Sequence, residues 1–198
     1  MKGELMLNRI LERMLGGDSP ACSEDGPLDR RPSDLVLSLP STLQNSLVTQ
    51  LPRVCSTDET FRALLESAKR SIKIFSPYVD NSFTGMAQVA RAPIQIVTTL
   101  RDAKMKSSLV LERFATTRPL AVRYLCEKQG KSQLYQLHAK MILSDGERAY
   151  VGSANFTDTS LHYNFELGLY LEDRDAISRL NALFDYVFDH AAKPAGQL

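Results

Sequence analysis

Between residues 138 and 166 the chain sets out His138, Lys140, Asp145, Gly152, Ser153, Asn155 and Glu166. These residue types could do nucleophilic and acid–base chemistry on an anion, of which a phosphodiester is one case. A phosphodiester repels nucleophiles, so a site must first neutralise its non-bridging oxygens. The Lys140 ammonium and the Ser153 and Asn155 donors can do so, and more strongly as charge builds in the transition state. An imidazole such as His138 can attack phosphorus and split one hard step into two. A second group must then protonate the leaving oxygen and activate water, work suited to histidine with its unperturbed pKa of about 6.5. Glu166 is the candidate carboxylate for holding an imidazole in the right tautomer. Gly152 allows close approach of backbone N–H groups to the anion. Asp145 is placed either in the chemistry or in the turn it begins.

A lone His-x-Lys on a strand would carry none of this. It is ordinarily a hydrogen-bonded core histidine beside a lysine that snorkels to the surface. Here the whole series keeps its spacing. His138-x-Lys140, four residues, Asp145, six residues, Gly152-Ser153-x-Asn155, then Glu166 resembles the signature of the phospholipase D superfamily. The resemblance is strict over 138–166 and looser over about 57–190. It implies a metal-free reaction, with no cofactor, through a phosphohistidine on His138. It also implies two such motifs facing each other. This sequence has one, since His162 and His190 lack a Lys two residues on. The site is therefore expected to be shared by a homodimer, one His138 as nucleophile and the other as general acid.

Elements that position these residues follow from periodicity. Asp145-Gly146 between two apolar runs predicts a tight hairpin turn, with His138 and Lys140 on one arm. Strands are expected at 71–77, 93–99, 120–126 and 164–172, and helices at 57–68, 81–91, 101–115 and 174–190. Residues 4–15 read as a helix ended by Gly16-Gly17, and 16–33 as a linker. Residues 34–51 read as a helical segment broken at Pro40. The expected fold is α/β: a mixed, largely parallel sheet flanked by helices on both faces. Residues 1–56 are assigned to an N-terminal helical extension and linker, with a docking role towards partner proteins, and 57–198 to the catalytic domain.

Loops after the first two of these strands supply further candidates for substrate binding. Tyr78 could stack on a base, and Arg101 and Lys104 could hold phosphates. Residues 101–131 are the most basic stretch, in a chain whose formal net charge is only +1. No global basic field announces a nucleic acid. The three cysteines are far apart, which argues against a disulfide framework or zinc site and fits a cytoplasmic protein. No stretch approaches the roughly 20 apolar residues needed to span a bilayer, and no membrane association is expected.

Within the superfamily, residues 153–169 are similar to small bacterial endonucleases, and the size and motif to phospholipase D-like subunits of phage-defence operons such as DISARM. The expected function is a nuclease acting on DNA, in defence or repair. Two alternatives stand beside it: a phospholipase or phosphatidyltransferase, and a non-catalytic subunit that binds nucleic acid or scaffolds a complex. Exposed apolar residues beside the cleft would favour the lipid enzyme, and the sequence alone shows none.

Overall fold

The structure, a computed structural model, describes residues 34–40, 54–99, 106–129 and 132–191. All lie in one compact unit, 31–198. In chain order the elements are β1 (Asp34–Ser38), β2 (Val54–Ser56), α1 (Thr57–Ser67), β3 (Ile72–Phe75), α2 (Asn81–Ala87), β4 (Ile94–Thr98), α3 (Lys106–Ala115) and β5 (Leu120–Tyr124). There follow β6 (Cys126–Gln129), β7 (Ser132–Gln136), β8 (Lys140–Ser144), β9 (Arg148–Gly152), α4 (Asp158–His162), β10 (Glu166–Leu171) and α5 (Arg174–His190).

Eight strands form one sheet in the order β2-β1-β10-β9-β8-β3-β4-β5. The pairs β1–β2, β3–β4 and β4–β5 are parallel. The other four, through β10, β9 and β8, are antiparallel, so the sheet is mixed. Short apolar runs such as IKIF and KMILS fit strands covered on both faces, and every residue of β8 is buried. Period-2 alternation then sorts the side chains into two cores. Ile74, Ile142 and Tyr150 stand side by side in register and pack under α1, α2 and α3 through Phe61, Phe83 and Phe114. One residue along, Phe75 and Met141 face the other way, beneath Ile177, Phe184 and Phe188 of α5. Full burial of each such side chain contributes about 1.5–3 kcal/mol.

The turn between β8 and β9 forms as expected. Asp145 and Gly146 have φ of 56° and 67°, and Glu147 N–H donates to Ser144 O at 3.0 Å. Positive φ at both central residues is the turn whose twist matches a hairpin. The final helix, 174–190, also falls where its stripe places it. Its N-cap Asp173 accepts from Ala176 N–H.

Other elements differ. Asp34–Ser38, read as helical, is a strand paired with β10 on one side and β2 on the other. A short apolar run, LVL, does not discriminate the two periods, and pairing partners decide. The expected strand 120–126 ends at Tyr124, and the chain turns into a separate two-stranded ribbon, β6–β7, that leads back towards His138. His138 itself precedes β8 instead of lying on it, and is exposed. The short α4, capped by Thr157, was not anticipated. Readings of 1–33 and 41–51, and the candidates Arg101 and Lys104, lie outside the described residues. Among the described residues no helix is long and apolar enough to cross a membrane.

Candidate active site

The strand registers decide which side chains can meet. Lys140 opens β8 opposite Gly152, the last residue of β9, and Gly152 stands opposite Gly168 of β10. Glu166 opens β10 opposite Ser38, the last residue of β1. The starts of β8 and β10 and the ends of β1, β3 and β9 therefore share one edge of the sheet, where the parallel strands β3 and β4 also end. Ligands of open α/β sheets sit beyond that kind of edge.

Lys140 is only 8% exposed. Its Nζ donates to His138 O at 2.8 Å and lies 3.2 Å from His138 Nδ1 and 3.4 Å from Nε2. Burial pushes the Lys140 ammonium below the usual lysine pKa, against the opposing pull of the Glu166 carboxylate. A partly desolvated cation at the mouth of the site attracts an anion more strongly than one in bulk water. The same side chain ties down the backbone of His138, whose ring is left exposed to reach a substrate.

Glu166, though buried, is fully engaged within the fold. Ser153 Oγ donates to its Oε2 at 2.5 Å, and Asn164 Nδ2 donates to its Oε1 at 3.1 Å. Ser153 is bound further: its Oγ accepts Leu167 N–H at 3.1 Å and its N–H donates to Leu167 O at 3.0 Å. The Ser153 hydroxyl proton thus goes to Glu166, where the sequence suggested a free donor for a phosphate oxygen. Glu166 orients Ser153 and balances Lys140, where the sequence suggested a bond to an imidazole. Asn155 follows on the same turn, and its Oδ1 is buried without a hydrogen-bond partner. Tyr78 lies in the loop after β3, half-buried, its carbonyl accepting from Ser76 Oγ at 2.8 Å. A bridge between Val79 and Phe156 ties that loop to the Ser153–Asn155 turn.

Asp145 is not part of this group. It sits at the opposite end of β8, about 16 Å along the strand from Lys140 at 3.3 Å per residue. Its carboxylate accepts N–H bonds from Lys69 at 2.9 Å, Arg70 at 2.7 Å and Ser71 at 2.9 Å. Partial burial alone would raise this carboxyl. The three N–H donors and the Arg70 charge outweigh it and hold the pKa below the ordinary value. Asp145 therefore staples the entry to β3 onto the hairpin turn. The structure brings His138, Lys140, Gly152, Ser153, Asn155 and Glu166 to one edge, with Tyr78 nearby, and leaves Asp145 at the other. Asn164, which completes the support of Glu166, is a member that its position two residues before Glu166 already hinted at.

The chain is similar to several known proteins. A family model described as "Cardiolipin synthase, PLD-like domain" matches residues 61–188. The cardiolipin synthase of Geobacillus kaustophilus is 32% identical over 140 residues, which cover 68% of this chain and 27% of that protein. The chain thus spans about a quarter of the curated relatives it matches. Among solved structures, NucT from Helicobacter pylori superposes with a TM-score of 0.62 at 15% identity, covering 82% of this chain and 100% of that one. The phospholipase D family member Nuc from Salmonella typhimurium gives 0.62 at 14% identity, over 82% and 99%. The match over 61–188 takes in the whole of the His-Lys hairpin, the Gly-Ser-x-Asn turn and the Glu166 strand: this chain belongs to the phospholipase D-like family.

Proposed function

We propose that the protein is a metal-independent phosphodiesterase that works through a phosphohistidine, with DNA as its substrate. The observation that carries the chemistry is the grouping of the exposed His138 ring and the buried Lys140 cation around the Ser153–Glu166 pair. A His138 nitrogen attacks phosphorus, and the P–O bond to the leaving alkoxide breaks. The alkoxide takes a proton from a second imidazole. That imidazole then removes a proton from water, whose oxygen displaces His138 and restores it. Lys140 stabilises the non-bridging oxygens in both steps. His138 is the only histidine of the sequence with a Lys two residues on, so the second imidazole is assigned to His138 of another copy across a two-fold axis. DNA is favoured by the likeness of residues 153–169 to small endonucleases.

One observation favours a second reading, a lipid phosphodiester. Tyr163 and Phe165 are 67% and 64% exposed and flank Asn164 beside Glu166. These are apolar residues next to the site, which the sequence had not disclosed, and the relatives named cardiolipin synthases fit such a surface. Nicking of plasmid and single-stranded DNA in EDTA, run beside turnover of phosphatidylglycerol vesicles, separates the two. The expected result is DNA cleavage that survives chelation and disappears in His138→Ala. Turnover of vesicles without DNA cleavage would replace the first reading by the second. Activity unchanged in His138→Ala would remove both. Sedimentation is expected to show a dimer, and a fully active monomer would contradict the shared site.

A further inference from the structure

Tyr150 lies in the middle of β9 and is completely buried. Its ring packs edge-on against Phe61, with centroids 4.8 Å apart at 72°. For that packing a phenylalanine would serve. Yet the chain keeps a hydroxyl in an apolar core, at the cost of desolvating it. The hydroxyl reaches the end of the strand and accepts Ala154 N–H at 3.2 Å. Ala154 is the residue between Ser153 and Asn155.

The space for this reach is made by two glycines. A Cβ on Gly152 would stand 2.3 Å from Tyr150 Oη, and a Cβ on Gly168 would stand 2.3 Å from Tyr150 Cε2. The two are directly opposite each other in the β9–β10 pairing. Neither has a positive φ, so neither is required by backbone conformation. Glycine inside a strand weakens it unless something must pass close by. At Gly168 the passing group is the Tyr150 ring; at Gly152 it is the Tyr150 hydroxyl together with the β10 backbone, whose Gly168 Cα and Leu167 O would stand 2.6 Å and 2.7 Å from a Cβ. Its burial, together with the nearby Glu166 charge, pushes the phenol up to about 12 against the Ala154 bond, so it stays neutral across the working range.

We propose that Tyr150 is a positioning residue: its hydroxyl clamps the Ser153–Asn155 turn through Ala154 and fixes where that turn stands relative to Lys140, with Gly152 and Gly168 forming the recess that admits it. Its effect on turnover rests on the phosphodiesterase reading above. The clamp itself does not, and the test keeps the two apart.

Tyr150→Phe retains the ring and removes only the hydroxyl. Amide hydrogen exchange at Ala154 is expected to speed up about tenfold, with β8 and β9 otherwise protected as in the wild type. With bis(p-nitrophenyl) phosphate, kcat falls about fivefold to tenfold, the size of one hydrogen bond, and KM stays within twofold. Gly168→Ala forces the ring aside and gives a similar fall in kcat while the hydroxyl is still present. Combining the two changes adds little to Gly168→Ala alone, because both act through one clamp. Unchanged Ala154 exchange in Tyr150→Phe overturns the proposal. So does faster exchange with kcat intact, and so does a double variant whose losses multiply. A wild-type rate no higher than that of His138→Ala overturns the phosphodiesterase reading, and the role of the clamp in turnover with it. Ala154 exchange is measured independently of that rate.

Discussion

Asp145 holds the last position of the His-x-Lys-x4-Asp spacing, and the fold puts it about 16 Å from the reacting groups. Asp145→Asn is the cleanest perturbation, because asparagine also tolerates the left-handed φ of 56° found there. The carboxylate accepts three backbone N–H bonds, from Lys69, Arg70 and Ser71. An amide keeps one acceptor oxygen and turns an NH2 towards the remaining donor. One charge-assisted bond is lost and the others weaken, which costs about 2 kcal/mol. For a chain of this size that lowers Tm by about 4–8 °C. The pH dependence follows from the sign of the shift. The folded pKa lies below the unfolded one, so the carboxylate's contribution is complete above the unfolded value of about 3.9 and is lost as pH falls through the folded pKa. The gap in Tm between wild type and Asp145→Asn should therefore be full at pH 7 and shrink below about pH 4. Thermal unfolding across that range, with turnover measured well below the variant's midpoint, checks it. Near-normal turnover with reduced stability is expected. An unchanged Tm with abolished turnover would refute the structural assignment.

Two further outcomes follow from the same geometry. Lys140 acts as a cation and its pKa is lowered by burial, so kcat should fall on the alkaline side below the pH expected of an ordinary lysine near 10.4. Lys140→Arg should move that limb upward, and Lys140→Met should cost about 10²–10³ in kcat at neutral pH; a profile identical in Lys140→Arg contradicts the role. Phe184 is completely buried between Phe75 and Phe188, with centroids 5.0 Å and 5.5 Å away. Phe184→Ala should cost about 3–5 kcal/mol of stability, read as a lower urea midpoint, because it opens the core that seats α5 on the sheet.

The grouping of His138, Lys140, Ser153 and Asn155 at one edge was legible in the sequence because these residues are local. His138 and Lys140 are two apart, and Ser153 and Asn155 lie on one turn, so spacing alone gathers them. The partners within the site were not legible. Ser153 spends its proton on Glu166, and that contact depends on β9 and β10 being neighbours, a fact of sheet order. The strand at 34–38 was misread for a related reason. DLVLS carries too few periods to tell a helix from a strand, and it is a strand because β10 and β2 flank it. Tyr150 gave no signal of its own, though Gly152 and Gly168, each ending or interrupting an apolar run, marked the place where something bulky passes.

β10 shows most directly how one strand serves two demands. Glu166 and Gly168 are buried, while Leu167 and Leu169 between them are 50% and 41% exposed. An ordinary half-buried strand turns its leucines inward and its glutamate out. Here the inward face is occupied by the Tyr150 ring and the Lys140–Glu166 pair, which admit a carboxylate and a glycine and exclude a leucine. The leucines are left on the other face, beside Leu35 of β1, also exposed. Such a strand is held in place by its neighbours on both sides, which supply a ladder of backbone hydrogen bonds. Replacing Leu167 and Leu169 with threonine keeps the β-propensity and the ladder. The fold itself would lose little by it, whereas a lipid contact made through this face would weaken sharply while turnover of a small phosphodiester stayed intact. A dimer contact made through this face would instead lose that turnover together with the dimer, and unchanged vesicle binding and unchanged sedimentation would both refute a contact here.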